Sequence, residues 1–159
     1  MVKTLLILAL LLLVMQSLSF FYKARQSQQA QLPGLIEGRL ADCGTRPNCV
    51  SSEPGTDQDH RVEAFVIDEF FPTSAEEHVL RLTAQQIGSL GGKIVVQRPG
   101  YLGCEFRSSL YGFIDDVELR LDGENGLMHI RSGSRVGYSD LGANRRRVES
   151  LRRLLRQSK

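Results

Sequence analysis

The stretch "DDVELRLDGENGLMHIRSGS", residues 115–134, decides how the chain folds. Its two arms alternate apolar and polar residues, and the intervening DGENG is dense in turn formers. It therefore reads as two antiparallel strands, 115–121 and 127–134, joined by a short turn. Side chains on a strand alternate between two faces, which sets the register: Val117, Leu119 and Leu121 share one face with Ser132, Ile130 and Met128. On the opposite face Glu118 lies across from Arg131 and Arg120 across from His129, with Asp116 diagonal to Arg131 and within reach of it.

Upstream, "YLGCEFRS" (101–108) and "KIVVQR" (93–98) flank a Pro99-Gly100 turn and add two more strands. Cys104 shares an apolar face with Leu102 and Phe106 and is expected to be buried. Before them, "FPTSAEEHVLRLTAQQIGSLGG" carries helix punctuation. Thr73 is placed to cap with Glu76, Val79, Leu82, Ile87 and Leu90 form an apolar stripe, and Gly91 and Gly92 stop the helix. "VEAFVI" (62–67) suits a short strand. Downstream, Gly137 allows a turn and Ser139 or Asp140 caps a last helix. Its apolar seam is Leu141, Val148, Leu151 and Leu155, surrounded by Arg145, Arg146, Arg147, Arg152, Arg153 and Arg156. The order β-α-β-β-β-β-α predicts an α+β domain with its helices on one face of a curved antiparallel sheet, helix-grip or TATA-binding-protein-like by analogy.

Thr4 to Phe21 is an eighteen-residue run without a charge, nearly long enough to cross a hydrocarbon core of ~30 Å. It is a membrane helix or a signal segment. Ser17 and Ser19 offer a weak cleavage site, whereas continuation through Phe20, Phe21 and Tyr22 favours an uncleaved anchor. No cysteine follows closely enough for a lipoprotein. Met1 and Lys3 on one side balance Lys23 and Arg25 on the other, so charge leaves the orientation open. The expected layout is an anchor or signal segment over 1–22, a polar linker over 23–34 and a single domain over 35–157, in which 34–60 is an ordered loop. Cys43 and Cys49 bracket "GTRPN" and read as a disulfide, as free thiols or as a metal pair with His60. A disulfide would place the domain outside the cytoplasm. No metal site and no cofactor is expected, since no fourth ligand has recognisable spacing.

The net charge of +2 hides an uneven distribution: +3 over 1–30, −6 over 31–138 and +5 over 139–159. A basic tail on an acidic body is either neutralised internally or meets an outside anion. The dense polar stretch "RSGSRVGYSDLGANRRR" (131–147) supports two readings. In one, Arg131, Arg135 and Arg145 converge with Ser132, Ser134 and Ser139 at a helix start and cradle an anion. In the other, Asp115, Asp116, Glu118 and Asp140 already hold those guanidinium groups. Tyr138, Asp140 and Asn144 complete the candidate ligand-binding set. For catalysis, "GYSDLG" around Ser139 lacks the glycine a nucleophile elbow needs, because Leu141 stands there, and no histidine follows it. Asp115 and Asp116 face opposite sides of a strand. His60, His78 and His129 are scattered, and His129 reads as a neutral surface residue. No catalytic residue is assigned, and no phosphate loop or dinucleotide fingerprint is present. Nucleic acid is excluded as a partner: the basic stretch has no interleaved aromatic apart from Tyr138, and the chain is tethered. The basic helix could instead lie on anionic headgroups.

The segments "CGTRPNCVSS" (43–52), "FIDDVELRL" (113–121) and "RSGSRVGYSDLGANRRRVE" (131–149) resemble the signature segments of domain-of-unknown-function family 1499, over roughly residues 35–157. Cys43, Cys49, Asp115, Asp116, Arg131, Ser132, Ser134, Arg135, Tyr138, Asp140, Asn144 and Arg145 fall on its motif positions, and Gly133 departs mildly from the alanine or serine expected there. The resemblance implies a membrane-associated or exported domain, often bacterial, without an established activity. Together these readings predict a membrane-anchored, periplasmic or otherwise extracytoplasmic envelope protein. It is expected to be non-enzymatic and to bind an anionic small molecule, a lipid or a partner envelope protein. The alternative is an enzyme acting on an envelope substrate through Asp115, Asp116 or Ser139.

Overall fold

In the computed structural model, which describes residues 2–71 and 75–157, the 115–134 hairpin is the centre of a six-stranded antiparallel sheet. The elements are α1 (Val2–Gln29), β1 (Leu35–Ile36), β2 (Arg39–Leu40), β3 (Cys49–Ser51), β4 (Phe65–Val66), α2 (Ile67–Phe70), α3 (Glu76–Ser89), β5 (Lys93–Arg98), β6 (Tyr101–Arg107), β7 (Ile114–Asp122), β8 (Leu127–Ser134) and α4 (Ala143–Gln157). The main order is β3-β8-β7-β6-β5, with β4 following β3 along the same edge of β8. The register is the one the alternation predicts: Val117 pairs with Ser132, Leu119 with Ile130 and Leu121 with Met128, while Glu118 meets Arg131 and Arg120 meets His129.

Helices α3 and α4 cover one face. Val79, Leu80 and Ile87 of α3 and Val148, Leu151 and Leu155 of α4 bury against Leu102, Cys104, Phe106, Val117, Leu119, Met128 and Ile130. Each fully buried aliphatic side chain contributes on the order of 2 kcal/mol. Burial also pushes the Cys104 thiol up to about 12, so it behaves as a small hydrophobe. Gly92 follows α3 because a Cβ there would sit 2.5 Å from Ile87 and 2.7 Å from Phe106. The Thr73 cap lies outside the described residues. Leu141 leaves the predicted seam: it is 85% exposed at φ 53°. The helix starts one turn later than the apolar spacing suggests, because the Asp140 carboxylate accepts the N–H groups of Gly142 at 2.9 Å and Asn144 at 2.6 Å.

The second face is roofed by the N-terminal segment, whose composition reads as a spacer and a loop. The spacer reading gives way because α1 runs on to Gln29, with Ala24 and Ser27 buried. The Ser27 hydroxyl accepts the Ile114 N–H at 2.8 Å and donates to the Ile114 carbonyl at 3.2 Å, completing the backbone bonding where β7 begins. Beyond α1, Leu32 packs where a Cβ of Gly103 would lie. β1 and β2 form a hairpin whose two loop residues, Glu37 at φ 51° and Gly38 at φ 77°, both have positive φ, as a type I′ loop requires. The 34–60 segment therefore contains three short strands, and the strand expected over 62–67 contracts to Phe65–Val66.

Cys43 and Cys49 are disulfide-bonded, with Cα atoms 5.4 Å apart, which leaves neither thiolate for a metal. Since Cys49 lies in β3, the bond staples the 44–48 loop to the sheet edge. Replacing both cysteines by serine should lower stability by about 2 kcal/mol, the loop-closure entropy of so short a loop. Urea unfolding with and without reductant checks this: reductant should destabilise the wild type and leave the double variant unchanged.

Candidate functional site

The sheet divides the predicted cradle, because strand alternation sends neighbours in the motif to opposite faces. On the helix side, Asn144 is fully buried at the start of α4. Its Oδ1 accepts from Ser132 Oγ at 2.6 Å and from Arg147, and its Nδ2 donates to the Asn48 carbonyl and to Ser134 Oγ, both at 3.0 Å. Arg147 also pairs with Asp115 at 2.8 Å and stacks over Phe106 at 4.5 Å. This network ties β3, β7, β8 and α4 together.

On the other face lies a buried charged layer. Glu118 is 0% exposed: its Oε1 accepts the Tyr101 hydroxyl at 2.7 Å and the Gly34 N–H at 2.8 Å, and its Oε2 meets Arg131 Nη1 at 3.3 Å. Asp116 is held by Arg135, from Nε to both carboxylate oxygens and from Nη2 to Oδ1 at 2.7 Å. Arg135 Nη2 reaches Glu105 at 2.6 Å as well, while Nη1 donates to the carbonyls of Ser27 and Ala30 at the C-terminal end of α1. A cation at that end also complements the helix dipole. Glu53 accepts from Arg120, Arg39 and the Leu40 N–H. Burial pushes the carboxyls of Asp116 and Glu118 up despite these partners. At Glu53 burial opposes ionisation too, but the bonds from Arg120 and Leu40 outweigh it and hold the carboxyl down at about 2.

Arg131, Arg135 and Arg145 therefore do not converge. Arg131 and Arg135 lie under the sheet with acids, and Arg145 lies on the helix side, donating to the carbonyls of Arg61 at 2.7 Å and Asp59 at 2.6 Å. Tyr138, Asp140 and Arg145 line one cleft with Asp59 and His60. Both ring nitrogens of His60 are engaged, Nδ1 with Asp57 and Nε2 with the Arg46 carbonyl, so it offers no free base. Ser139 Oγ accepts the Leu141 N–H, and none of the three histidines contacts it. Asp115 and Asp116 stand on opposite faces, each in an arginine pair. His129, expected at the surface, is 3% exposed because Ser52 and Asp122 close over it. Two of the α4 arginines are engaged with the domain, Arg152 donating to the Glu63 carbonyl and lying over Phe65 and Arg156 pairing with Glu69, whereas Arg146 and Arg153 are exposed and bond to the Leu141 carbonyl and Ser150 Oγ.

A second cleft lies where α1 meets the domain, lined by Lys23, Gln26, Arg46, Arg135, Gly137 and Tyr138. Lys23 is exposed, with no ion-pair partner among the described residues, and Arg46 makes only a 3.5 Å bond to the Gly137 carbonyl. The motif-based reading missed Lys23, Arg46, Glu53 and Arg147. The diagonal and cross-strand charges on the hairpin could have flagged Glu118, but no local pattern links Lys23 or Glu53 to partners so distant in sequence.

Two substitutions probe the charged layer. Glu118→Gln should cost about 3–5 kcal/mol, since it strips the carboxylate from the buried Arg131, whereas Tyr101→Phe removes one hydrogen bond and should cost about 1 kcal/mol; urea denaturation separates them. For Glu53, the folded value lies below the ordinary 4.5, so its contribution is complete above pH 4.5 and is lost as pH falls through about 2. The loss should reach about 3 kcal/mol. Asp116 and Glu118 are shifted the opposite way, so the measurement is the difference between wild type and Glu53→Gln, whose stability gap should narrow over that window.

A family model described as "Protein of unknown function (DUF1499)" matches residues 39–155. No curated protein and no solved structure matches the chain. The match begins at β2 and runs through the charged layer, the disulfide and nearly all of α4, so the chain belongs to the DUF1499 family.

Proposed function

We propose that the chain is a membrane-anchored, non-enzymatic domain on the periplasmic or outer side of a membrane, and that it holds a phosphate or carboxylate group at the cleft between α1 and the 135–138 turn. The observation that supports this reading is the pair of cations lining that cleft, Lys23 and Arg46, with no carboxylate among its lining residues. Lys23 stands two residues past the apolar run that ends at Phe21, the level at which a lipid phosphate lies if that run crosses the bilayer. α1 has the length and composition of a membrane span or a signal sequence, and the Cys43–Cys49 disulfide suits an oxidising compartment. Tyr138, 73% exposed, provides an amphipathic wall of the kind found at membrane interfaces. The arginines of the 131–147 motif serve here as support: Arg135, locked to Asp116, fixes the cleft's inner edge.

Two basic groups near an anionic surface are worth about 1 kcal/mol each. Lys23→Ala with Arg46→Ala should therefore weaken binding about thirty-fold. The full chain in neutral detergent, titrated with short-chain phosphatidylglycerol, phosphatidylcholine and inorganic phosphate by native mass spectrometry, checks this. Phosphatidylglycerol should bind in preference to phosphatidylcholine, and the double variant should lose the preference. Equal binding of the two lipids together with no uptake of phosphate sinks the reading. Uptake of phosphate alone assigns the cleft to a free anion.

A further inference from the structure

The β6–β7 loop carries an inference that the anion cleft does not. Residues 108–114, "SSLYGFI", contain no charge, and Leu110 at the tip is 80% exposed. The neighbouring aromatics are fixed on α1. Tyr111 stacks on Phe20 with ring centroids 5.3 Å apart and planes 24° from parallel, and meets Phe21 edge-on at 6.4 Å. Phe113 packs edge-on against Phe20 at 6.5 Å. Phe20 and Phe21 end the uncharged run that starts at Thr4, about 25 Å along the helix at 1.5 Å per residue, so Tyr111 stands at the depth where that run would leave the hydrocarbon.

The base of the loop has its backbone bonded within the protein. Its N–H groups at Ser108, Gly112 and Phe113 are bonded to the Phe113 carbonyl, the Ser108 carbonyl and Ser108 Oγ, and Gln28 donates to the Gly112 carbonyl at 3.0 Å. Polar backbone groups bonded within the protein lower the cost of leaving water. Arg107 and Lys23, both exposed, are positioned to keep their charges in the headgroup layer. We infer that the β6–β7 loop is a second membrane contact, with Leu110 and Tyr111 seated in the interface of the leaflet through which α1 leaves the bilayer. The domain thus rests on the membrane rather than hanging from it. The occupant is the bilayer because the patch is continuous with the apolar surface of α1, whose aromatic end it shares. The inference depends on α1 spanning the membrane and is independent of the anion cleft.

The test uses the full chain in phosphatidylcholine–phosphatidylglycerol vesicles, with an environment-sensitive fluorophore at Leu110→Cys or, as a control, at Glu124→Cys in the β7–β8 turn at the far end of the sheet. Cys43 and Cys49 are paired and Cys104 is buried, so the introduced thiol is the one labelled. Lipids carrying a nitroxide near the headgroup should quench the label at 110 several-fold more than the label at 124, with a blue-shifted emission. A chain that resists carbonate extraction but shows equal quenching at the two sites overturns the loop contact and leaves the anchor standing. A chain released by carbonate overturns both. A blue shift at 110 that is insensitive to quencher lipids assigns the loop to a protein contact and overturns the inference.

Discussion

The structure depends on placing a charged strand face out of water. A half-exposed antiparallel sheet ordinarily leaves its polar face to solvent, where Asp116, Glu118, Arg120 and Arg131 would need nothing further. Here that face is covered, and an ion brought into the interior carries a penalty of several kcal/mol unless paired and hydrogen-bonded. Each carboxylate accordingly has several donors: Arg135 twice on Asp116; Tyr101, Gly34 and Arg131 on Glu118; Arg120, Arg39 and Leu40 on Glu53. Three of those donors, the N–H groups of Gly34 and Leu40 and the Arg39 guanidinium, belong to the covering segment itself. The cover is thus held by the charges it hides, and removing it would leave them without part of their bonding.

This coupling extends to α1. Arg135 joins Asp116 and Glu105 in the sheet to the carbonyls of Ser27 and Ala30 at the helix end, while Ser27 completes the bonding of Ile114. A flexible linker would allow α1 to take any direction relative to the domain. A helix that enters the fold through Phe20, Phe21, Ala24, Ser27 and Gln28 allows essentially one.

The 115–134 hairpin was legible because a period of two with one apolar face leaves a single register, and β5, β6, α3 and α4 follow from comparable local signals. What stayed hidden was long-range. Ser27, Gln28 and Gly34 sit in a polar, Gln-rich stretch that has the composition of a linker, and only the distant residues Ile114, Gly112 and Glu118 give them a structural role. β1 and β2 are two residues each, joined by Glu37-Gly38, which lacks the asparagine or aspartate that marks such loops. Within the dense motif, the set of polar residues was informative but their grouping was not. Arg131 and Ser132 are neighbours in sequence and lie on opposite sides of the sheet, so a cluster along the chain became two networks in space. Leu141 was misplaced for a related reason: its spacing fits the helix seam, but the Asp140 cap sets the helix start after it.

The uneven charge of the chain takes its meaning from these networks. Four arginines of the basic tail are engaged by the rest of the domain, Arg147 with Asp115, Arg156 with Glu69, and Arg145 and Arg152 with the carbonyls of residues 59–64, while the exposed Arg146 and Arg153 bond to the Leu141 carbonyl and to Ser150 Oγ. An arginine bonded to carbonyls keeps its charge, but its donors are occupied and its fork no longer presents a matched pair to an incoming anion. The proposed anion contact therefore rests on cations whose donors remain available. Where α1 meets the domain those cations are Lys23 and Arg46, one just past the apolar run of α1 and the other in the disulfide loop. Arginine count points to α4, whereas the junction between α1 and the domain offers a concave lining with Lys23, Arg46 and no carboxylate. That junction also coincides with an aromatic surface continuous with an apolar helix, which α4 does not.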